Sequence, residues 1–563
     1  MTASQRMPDI GRAANCLRKT LAAAIGTVFF RLPFYDLTLA GRTPRNIRQF
    51  APDPWPGVPA AGEAIVSGRF AMGGELVSGD LAVWGGTGGE AWQEAFHSFE
   101  WLRDLRALGG EAAHQRARKL VKDWIARNGK WSGDAWRGDV TGRRLSSWIA
   151  HYDFFVQGAD AGFRQQVLHS LAHQTRHLAR VVPGAFEGAR LLAAIKGLVL
   201  ATLAIPAQGR AAAHALDLLG RELAKQVLPD GGHIERCPSL QMAVLRDLVD
   251  IRGALLSAQQ PVADQVQQAI DRMAPMLRFF RLSDGALAVF NGGAEEEGWL
   301  VDLVLSRTEA KGKPLAAAPH SGFQRCAAAR SIVVMDAGIP AQLDCARGFH
   351  AHAYAGTLSF ELSMGKDRVV VNCGANPKRS PAWAAASRAT AAHSTLVVAD
   401  TNSAEVTERG LNRGPRRVTT DRIEADQGIA IEASHDGYAA PFGLIHRRRL
   451  QLSSNGEELR GDDALIAVPA RRRKPAARKF AVRFHLHPEA AASLLLDNKG
   501  VLVKLRSGAG LRFSALGGEI AIEDGVYLGS GELRRSSQIV VSGTTAPVAD
   551  GEAATVAWVF SRI

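Results

Sequence analysis

This sequence reads as an α+β chain of more than one domain: a helical array or α/α toroid first, then a β-sandwich or pair of stacked sheets. Three features lead there. The length of 563 residues exceeds what one hydrophobic core organises. Between about 95 and 285 the apolar residues recur at three- and four-residue spacing, the signature of amphipathic helices. Beyond that point the texture changes to short β-rich runs separated by turns, which suits a sandwich.

Residues 1–95 are rich in Gly, Pro and Trp, with a chain of turns at Asp53-Pro-Trp-Pro-Gly-Val-Pro, since Pro and Gly punctuate regular structure. Glu63–Val77 and Leu81–Trp84 read as small strands, and the segment is expected to wrap onto a larger body. Arg18 and Lys19 before the apolar stretch Leu21–Phe30 imitate a secretion signal. No small-residue cleavage site follows, so an amphipathic surface helix is the expectation.

Residues 96–300 carry the helices, at Trp101–Leu108, Ala113–Ala126, Leu145–Phe155, Phe163–Val182, Arg190–Ala204, Ala211–Val227 and Leu240–Ala258. Successive helices of this size joined by short turns form arrays or toroids. Residues 301–563 carry strands, among them Ser331–Asp336, Thr357–Ser363, Arg368–Asn372, Thr395–Ala399, Lys479–Leu486 and Ala554–Phe560.

Composition bounds the chemistry. A 46% hydrophobic content is that of a globular protein, and no apolar run reaches the roughly 18–20 residues of a membrane span. With 68 Lys+Arg against 55 Asp+Glu, the formal charge of +13 favours acidic partners. The five cysteines are widely spaced with no CxxC pair, so neither a disulfide framework nor a thiolate zinc site is expected. No P-loop, GxSxG or HExxH motif occurs, which lowers nucleotide, serine-hydrolase and zincin chemistry. Nucleic acid rests on charge alone and is not expected.

Three stretches carry candidate chemistry. Asp230-Gly-Gly-His233-Ile-Glu235-Arg236 is either a capped helix start or a functional loop. His350 and His352 share one face of an extended segment; they are surface histidines, or paired imidazoles that bind a metal or divide into ligand and acid/base. His393 leads directly into a strand, as a structural histidine or as a metal partner of His352. The basic run Arg471–Lys479 and His446-Arg-Arg-Arg read as solvated surface, and His485 and His487 as structural.

Together these stretches resemble the heparinase II/III family of polysaccharide lyases. The similarity is most specific in His350-Ala-His-Ala, Leu358-Ser-Phe-Glu-Leu-Ser, Val369-Val-Val-Asn-Cys-Gly and Arg388–Thr395, and looser in the Asp230 loop, Arg143-Arg144-Leu-Ser-Ser-Trp and Arg190–Val199. It implies an α/α toroid followed by an antiparallel β-sandwich, with a cleft between them, and β-elimination on an acidic, uronate-containing polysaccharide or oligosaccharide. That chemistry needs neutralisation of the uronate carboxylate, a base for the C5 proton and an acid for the leaving oxygen.

Carried over by position, the resemblance implies His350 as the catalytic histidine and His352 and His393 as ligands of a supporting zinc. Asn372 stands where the family commonly has an Asp ligand. Leu240 and Gln241 stand where a catalytic Tyr is expected, and Ala189 and Arg190 where an Asn-His pair is. Arg190 is then the candidate for the uronate carboxylate, with His233 or Tyr354 as the replacement proton carrier. Arg143, Arg144, Glu235, Arg236 and Arg388 are expected to contact the glycan. Two readings result: a lyase with an atypical site, or a non-catalytic glycan-binding protein on the lyase scaffold. The family implies a cell-envelope or periplasmic location; a cytoplasmic one is the alternative, since no cleavable signal is visible.

Overall fold

The computed structural model describes residues 26–563 apart from 27, 33, 49, 51–52, 85, 185, 207, 342–352, 376–380, 408–409, 469–474 and 497–498. Most of the Leu21–Phe30 stretch, and both His350 and His352, therefore lie outside the described residues, as do Cys16 and Cys345.

Two compact units interleave along the chain: one runs through Gln226 and resumes at Val244–Ile270, while the other contains Val227–Ala243, Asp271–Gln342 and Gly348–Ile563. The expected segments 1–95, 96–300 and 301–563 follow chain order and cannot express this interleaving, because the Asp230 loop groups with strands far away in sequence.

The first unit is helical: α1 (Pro59–Val66), α2 (Glu90–Ser98), α3 (Leu102–Leu108), α4 (Gly110–Asn128), α5 (Gly138–Ala150), α6 (Tyr152–Val156), α7 (Ala161–Val181), α8 (Gly188–Ala204), α9 (Gly209–Gln226), and parts of α10 (Pro238–Ser257) and α11 (Asp264–Phe279). The small strands expected over Glu63–Val77 and Leu81–Trp84 are corrected in part. Pro59 opens α1, its fixed φ being preorganised for a first helical turn. Asp80–Trp84 is also helical. Only Arg69–Met72 and Glu75–Ser78 pair, as an antiparallel hairpin around Gly73-Gly74, both of which have positive φ. Helices α5 and α8 approach so closely that a Cβ on Gly197 would lie 2.2 Å from the Gly142 carbonyl oxygen. Trp92, Trp124, Trp136 and Trp148 are fully buried.

Among the described residues the second unit holds two large antiparallel sheets and a small two-stranded one, Glu405–Thr407 with Gly410–Arg413. One runs Val418–Ala425, Gly428–His435, Leu444–Ser453, Glu458–Ala467, Gly551–Arg562, Gly510–Leu516, Gly500–Lys504, Ala491–Leu494. The other runs Glu519–Tyr527, Arg534–Thr544, Lys479–Leu486, Asp367–Val371, Phe360–Met364, Ser331–Asp336, Phe323–Ala328, Ala317–Ala318, with Leu396–Val398 beside Lys479–Leu486. Inward residues of both, including Leu450, Leu452, Val503, Phe513 and Trp558 from the first and Val333, Phe360, Val482 and Phe484 from the second, form one core.

Strand alternation corrects one expectation. In His446-Arg-Arg-Arg, His446 and Arg448 point inward and are fully buried, because successive side chains face opposite sides of a sheet. Arg448 forms a two-point pair with Asp463 at 2.8 and 3.0 Å and donates to the carbonyls of Leu358 and Ser394.

Candidate functional site

In the β-rich unit the Asp230 loop is a locked turn. Gly231 has φ +82°, and a Cβ there would lie 2.0 Å from the Arg272 carbonyl oxygen, so only glycine fits. Asp230 accepts from the Gly232 amide at 3.1 Å and the Ser321 amide at 2.7 Å. Gln241 completes the lock: its Oε1 accepts from the His233 amide at 2.8 Å, and its Nε2 donates to Gly231 O at 2.8 Å and Met273 O at 3.1 Å. Where the family presents a catalytic tyrosine, this chain has a fully engaged structural amide beside Leu240.

His233 and Glu235 are buried, with the His233 Nδ1 accepting the Glu235 amide at 3.3 Å. Arg236 is also buried. It donates to the carbonyls of Ser321, Ile339 and Gly322, pairs with Asp336, and lies 4.7 Å over the Phe323 ring. Its expected role as a glycan contact gives way to a clamp holding the loop.

A second cluster gathers the C-terminal candidates. Tyr354 is buried with its ring edge-on to His393 at 5.9 Å, and burial pushes its phenol up to about 12 although Arg388 nearby opposes this. His393 Nδ1 donates to Ala389 O at 2.8 Å, leaving Nε2 unprotonated, and burial holds the imidazole down to about 4. Gly356 makes room for that ring, since a Cβ would meet it at 2.6 Å.

Asn372 is held on all sides. Its Oδ1 accepts from the Ser394 amide at 3.0 Å, and its Nδ2 donates to Val289 O at 3.2 Å and Glu361 at 3.4 Å. Glu361 is fully buried, accepts the amides of Asn372 and Val289 at 3.0 Å, and is pushed up to about 7 by burial. These contacts account for Asn in place of Asp: a second carboxylate would face the Val289 carbonyl and Glu361 with no proton to donate.

They also bear on zinc. His393 fits a metal-ligand pattern, with one ring nitrogen anchored to a carbonyl and the other available. Asn372 offers only a neutral amide oxygen, one lone pair of which already receives the Ser394 amide, a weaker ligand than the expected carboxylate. Among the described residues no group of three or more His, Cys, Asp or Glu side chains is arranged to hold a metal.

Beside Asn372, the Cys373 sulfur lies 3.3 Å from His485 Nδ1. The His485 Nε2 donates to Ala391 O at 2.9 Å, so Nδ1 accepts from the thiol. Burial pushes the thiol up to about 12 and the imidazole down to about 3. A reactive thiolate–imidazolium pair needs the opposite shifts, so this is a neutral structural contact. The neighbouring His487 and Tyr527 both donate to Glu295.

The helical unit presents a different chemistry. Arg144 is fully buried: it donates to Gln174, His97 O, Ala135 O and Thr141 and stacks 4.1 Å over Trp124. With every donor nitrogen bonded inside the fold, it has none to offer a glycan. Arg143, one residue earlier on α5, is a third exposed and lies 3.7 Å from Glu100. Arg190 sits between Glu94 at 3.3 Å and Asp139 at 3.7 Å, and Arg137 pairs with the same two carboxylates and Glu90. Lys196 bridges Asp247 at 2.7 Å and Asp250 at 2.5 Å, while Asp250 accepts from the Trp55 indole at 2.7 Å.

This ladder of compensated charges was missed in the sequence. Its one legible signal was Lys196, a lone charge inside the apolar run Leu191–Val199, since such a buried charge requires partners.

Comparison with known proteins fits this architecture. Residues 90–297 match the heparinase II/III N-terminus and residues 310–559 the heparinase II/III-like C-terminal domain. The chain is 32% identical over 558 residues to FtsZ-localized protein C of Caulobacter vibrioides, covering 95% of this chain and 94% of that protein. Among solved structures, heparinase III superposes with a TM-score of 0.69 at 14% identity over 99% of this chain and 92% of its own. A heparan sulfate lyase HepC mutant from Pedobacter heparinus superposes with a TM-score of 0.62 at 16% identity, over 99% and 91%. At those identities the structures speak for the fold, an α/α toroid followed by antiparallel β-sheets. The matched domains and the full-length relative carry the conclusion that this chain belongs to the heparinase II/III-like family.

Proposed function

We propose that this chain binds a glycan on the lyase scaffold and does not carry out β-elimination. The observation that supports this most is the state of Arg190, the cation expected to neutralise a uronate: it stands between two carboxylates. Elimination needs an uncompensated cation or preorganised donors at the developing enolate, and an acid and base poised near the working pH. Gln241 replaces the expected tyrosine and is fully engaged in the loop. Tyr354 and His393 are shifted away from neutrality in directions that favour their uncharged forms. A scaffold does not carry its chemistry with it when the site residues change.

The Caulobacter relative is named for localisation with FtsZ. A role in handling envelope glycan near the division machinery is part of this proposal.

The second reading, an atypical lyase acting through His350, is favoured by one observation: the Tyr354 phenol packs beside His393 and near Arg388. The deciding experiment follows absorbance of the 4,5-unsaturated uronate on heparan sulfate, alginate and polyglucuronate, with a His350→Ala control, alongside equilibrium binding to acidic and neutral glycans. Saturable binding without an absorbance rise is expected. A His350-dependent rise overturns the proposal in favour of the lyase.

A further inference from the structure

The charged side chains of α2, α5, α8 and α10 specify more than the word glycan. Most basic groups on or beside these helices have acidic partners: Arg190 has Glu94 and Asp139, Arg137 has those two and Glu90, Lys196 has Asp247 and Asp250, and Arg103 on α3 has Asp53 at 3.0 Å, while Arg144 is sealed by neutral acceptors and Arg246 lies 4.8 Å over the Trp55 ring. The compensation also acts at longer range. Glu100 is held below its usual range by Arg143, Arg103, Lys196 and Arg246, against the opposing effect of its partial burial. A sulfated or densely carboxylated chain laid on this array would meet Glu94, Glu100 and Asp247 as well as the cations. It would then have to displace existing pairs and leave their carboxylates without partners.

One pair is arranged differently. Glu100 and Arg143 are 3.7 Å apart, with side chains 49% and 34% exposed, and neither side chain forms a hydrogen bond among the described residues. They set a carboxylate acceptor beside a guanidinium donor, both within reach of solvent. Two neighbouring sugar hydroxyls satisfy that combination, one donating to Glu100 and the other accepting from Arg143.

We propose that the ligand of this helical unit is a glycan of low net charge, read through its hydroxyl and amide groups at Glu100 and Arg143, and not a sulfated or densely carboxylated polyanion. The inference rests on the glycan-binding reading above and narrows it. It also separates the protein's overall charge of +13 from its recognition, since a general excess of cations attracts polyanions without specificity.

The test uses the full chain with two probes, heparin and a neutral N-acetylglucosamine oligomer, each at low and moderate salt. The neutral oligomer is expected to bind with little salt dependence and to lose about tenfold in affinity in Glu100→Gln, the loss expected when a charged acceptor is removed from a hydrogen-bonded site. Glu94→Gln and Glu100→Gln should each raise heparin affinity by about threefold to tenfold by releasing Arg190 and Arg143 from compensation. The exposed Glu111 on α4 supplies the control, with Glu111→Gln leaving heparin binding unchanged. The inference is overturned if the unaltered protein binds heparin in a salt-steep manner that Arg143→Ala and Arg190→Ala abolish, or if neither Gln variant changes heparin binding. If no glycan binds the unaltered protein while the Gln variants gain heparin, the exclusion of polyanions stands and the glycan-binding reading falls.

Discussion

Asn372 shows how one side chain records a change of environment. Its amide is oriented by three partners at once, accepting from Ser394 and donating to Val289 O and Glu361. Asn372→Asp replaces two donors with an oxygen facing other oxygens. The expected cost is roughly 2–4 kcal/mol of stability, the penalty for unsatisfied buried polar groups next to a like charge. The cost should be larger at pH 8 than at pH 5. Glu361 is pushed up to about 7 by burial, so at pH 5 it holds a proton that the introduced carboxylate can accept, and at pH 8 two anions face each other. Chemical denaturation of the variant at the two pH values checks this, and equal losses would show that Glu361 is not the partner that matters.

At the scale of elements, two buried polar devices hold strands and loops in register. The first runs across four neighbouring strands of one sheet. Gly437 donates its amide to His435 Nδ1, so the proton of His435 sits on Nε2, facing His446 Nδ1 at 3.3 Å. The Nε2 of His446 in turn donates to Asp463 at 2.7 Å, and Asp463 also receives Arg448 and the Trp558 indole. Arg448→Met should cost roughly 3–5 kcal/mol, because it leaves a buried carboxylate without its cation; the unfolding midpoint in urea is the readout. The second device locks the loop before α10. Gln241→Leu strands the His233 amide and removes the side-chain donor to the carbonyls of Gly231 and Met273. Hydrogen exchange of residues 230–237 should accelerate while the strands of the β-rich unit keep their protection, since local opening can occur without global unfolding.

Over the whole molecule, buried imidazoles make acid the stress to which this fold is most exposed. Burial lowers His393, His435, His446 and His485 in one unit, and His97 and His177 in the other. Each stays neutral in the fold and gains a proton near its ordinary value of 6.5 once unfolded. The unfolded chain therefore binds more protons below that pH, and stability falls as pH drops from 6.5 toward folded values of about 4 for His393 and about 3 for His485. Glu361 acts with the opposite sign: its contribution is present below 4.5 and is lost as pH rises through about 7. Each histidine adds up to ~1.4 kcal/mol per pH unit, and several outweigh one glutamate. Both units should lose stability together between pH 6.5 and 5, seen as a falling thermal midpoint. A flat midpoint over that range would contradict the neutral-histidine assignment.

The sequence by itself determined the classes of element and their order. Helical periodicity located Phe163–Val182, Arg190–Ala204 and Leu240–Ala258 within about two residues of α7, α8 and α10, because a helix buries one stripe of its own sequence. Short β-rich runs found Ser331–Asp336 and Lys479–Leu486, a similarly local signal. It missed Glu458–Ala467, whose polar start Glu-Leu-Arg-Gly-Asp-Asp hides a central strand, and it placed His446 and Arg448 at the surface. Tertiary structure alone decided which charges are free. Arg143 and Arg144 are neighbours in sequence, yet one is partly exposed beside Glu100 and the other is sealed under Trp124, because consecutive helical side chains point about 100° apart. Arg190 reads as an available cation until Glu94 and Asp139, distant along the chain, arrive beside it. Periodicity is a property of neighbouring residues, whereas charge compensation is a property of residues that meet only when the helices pack.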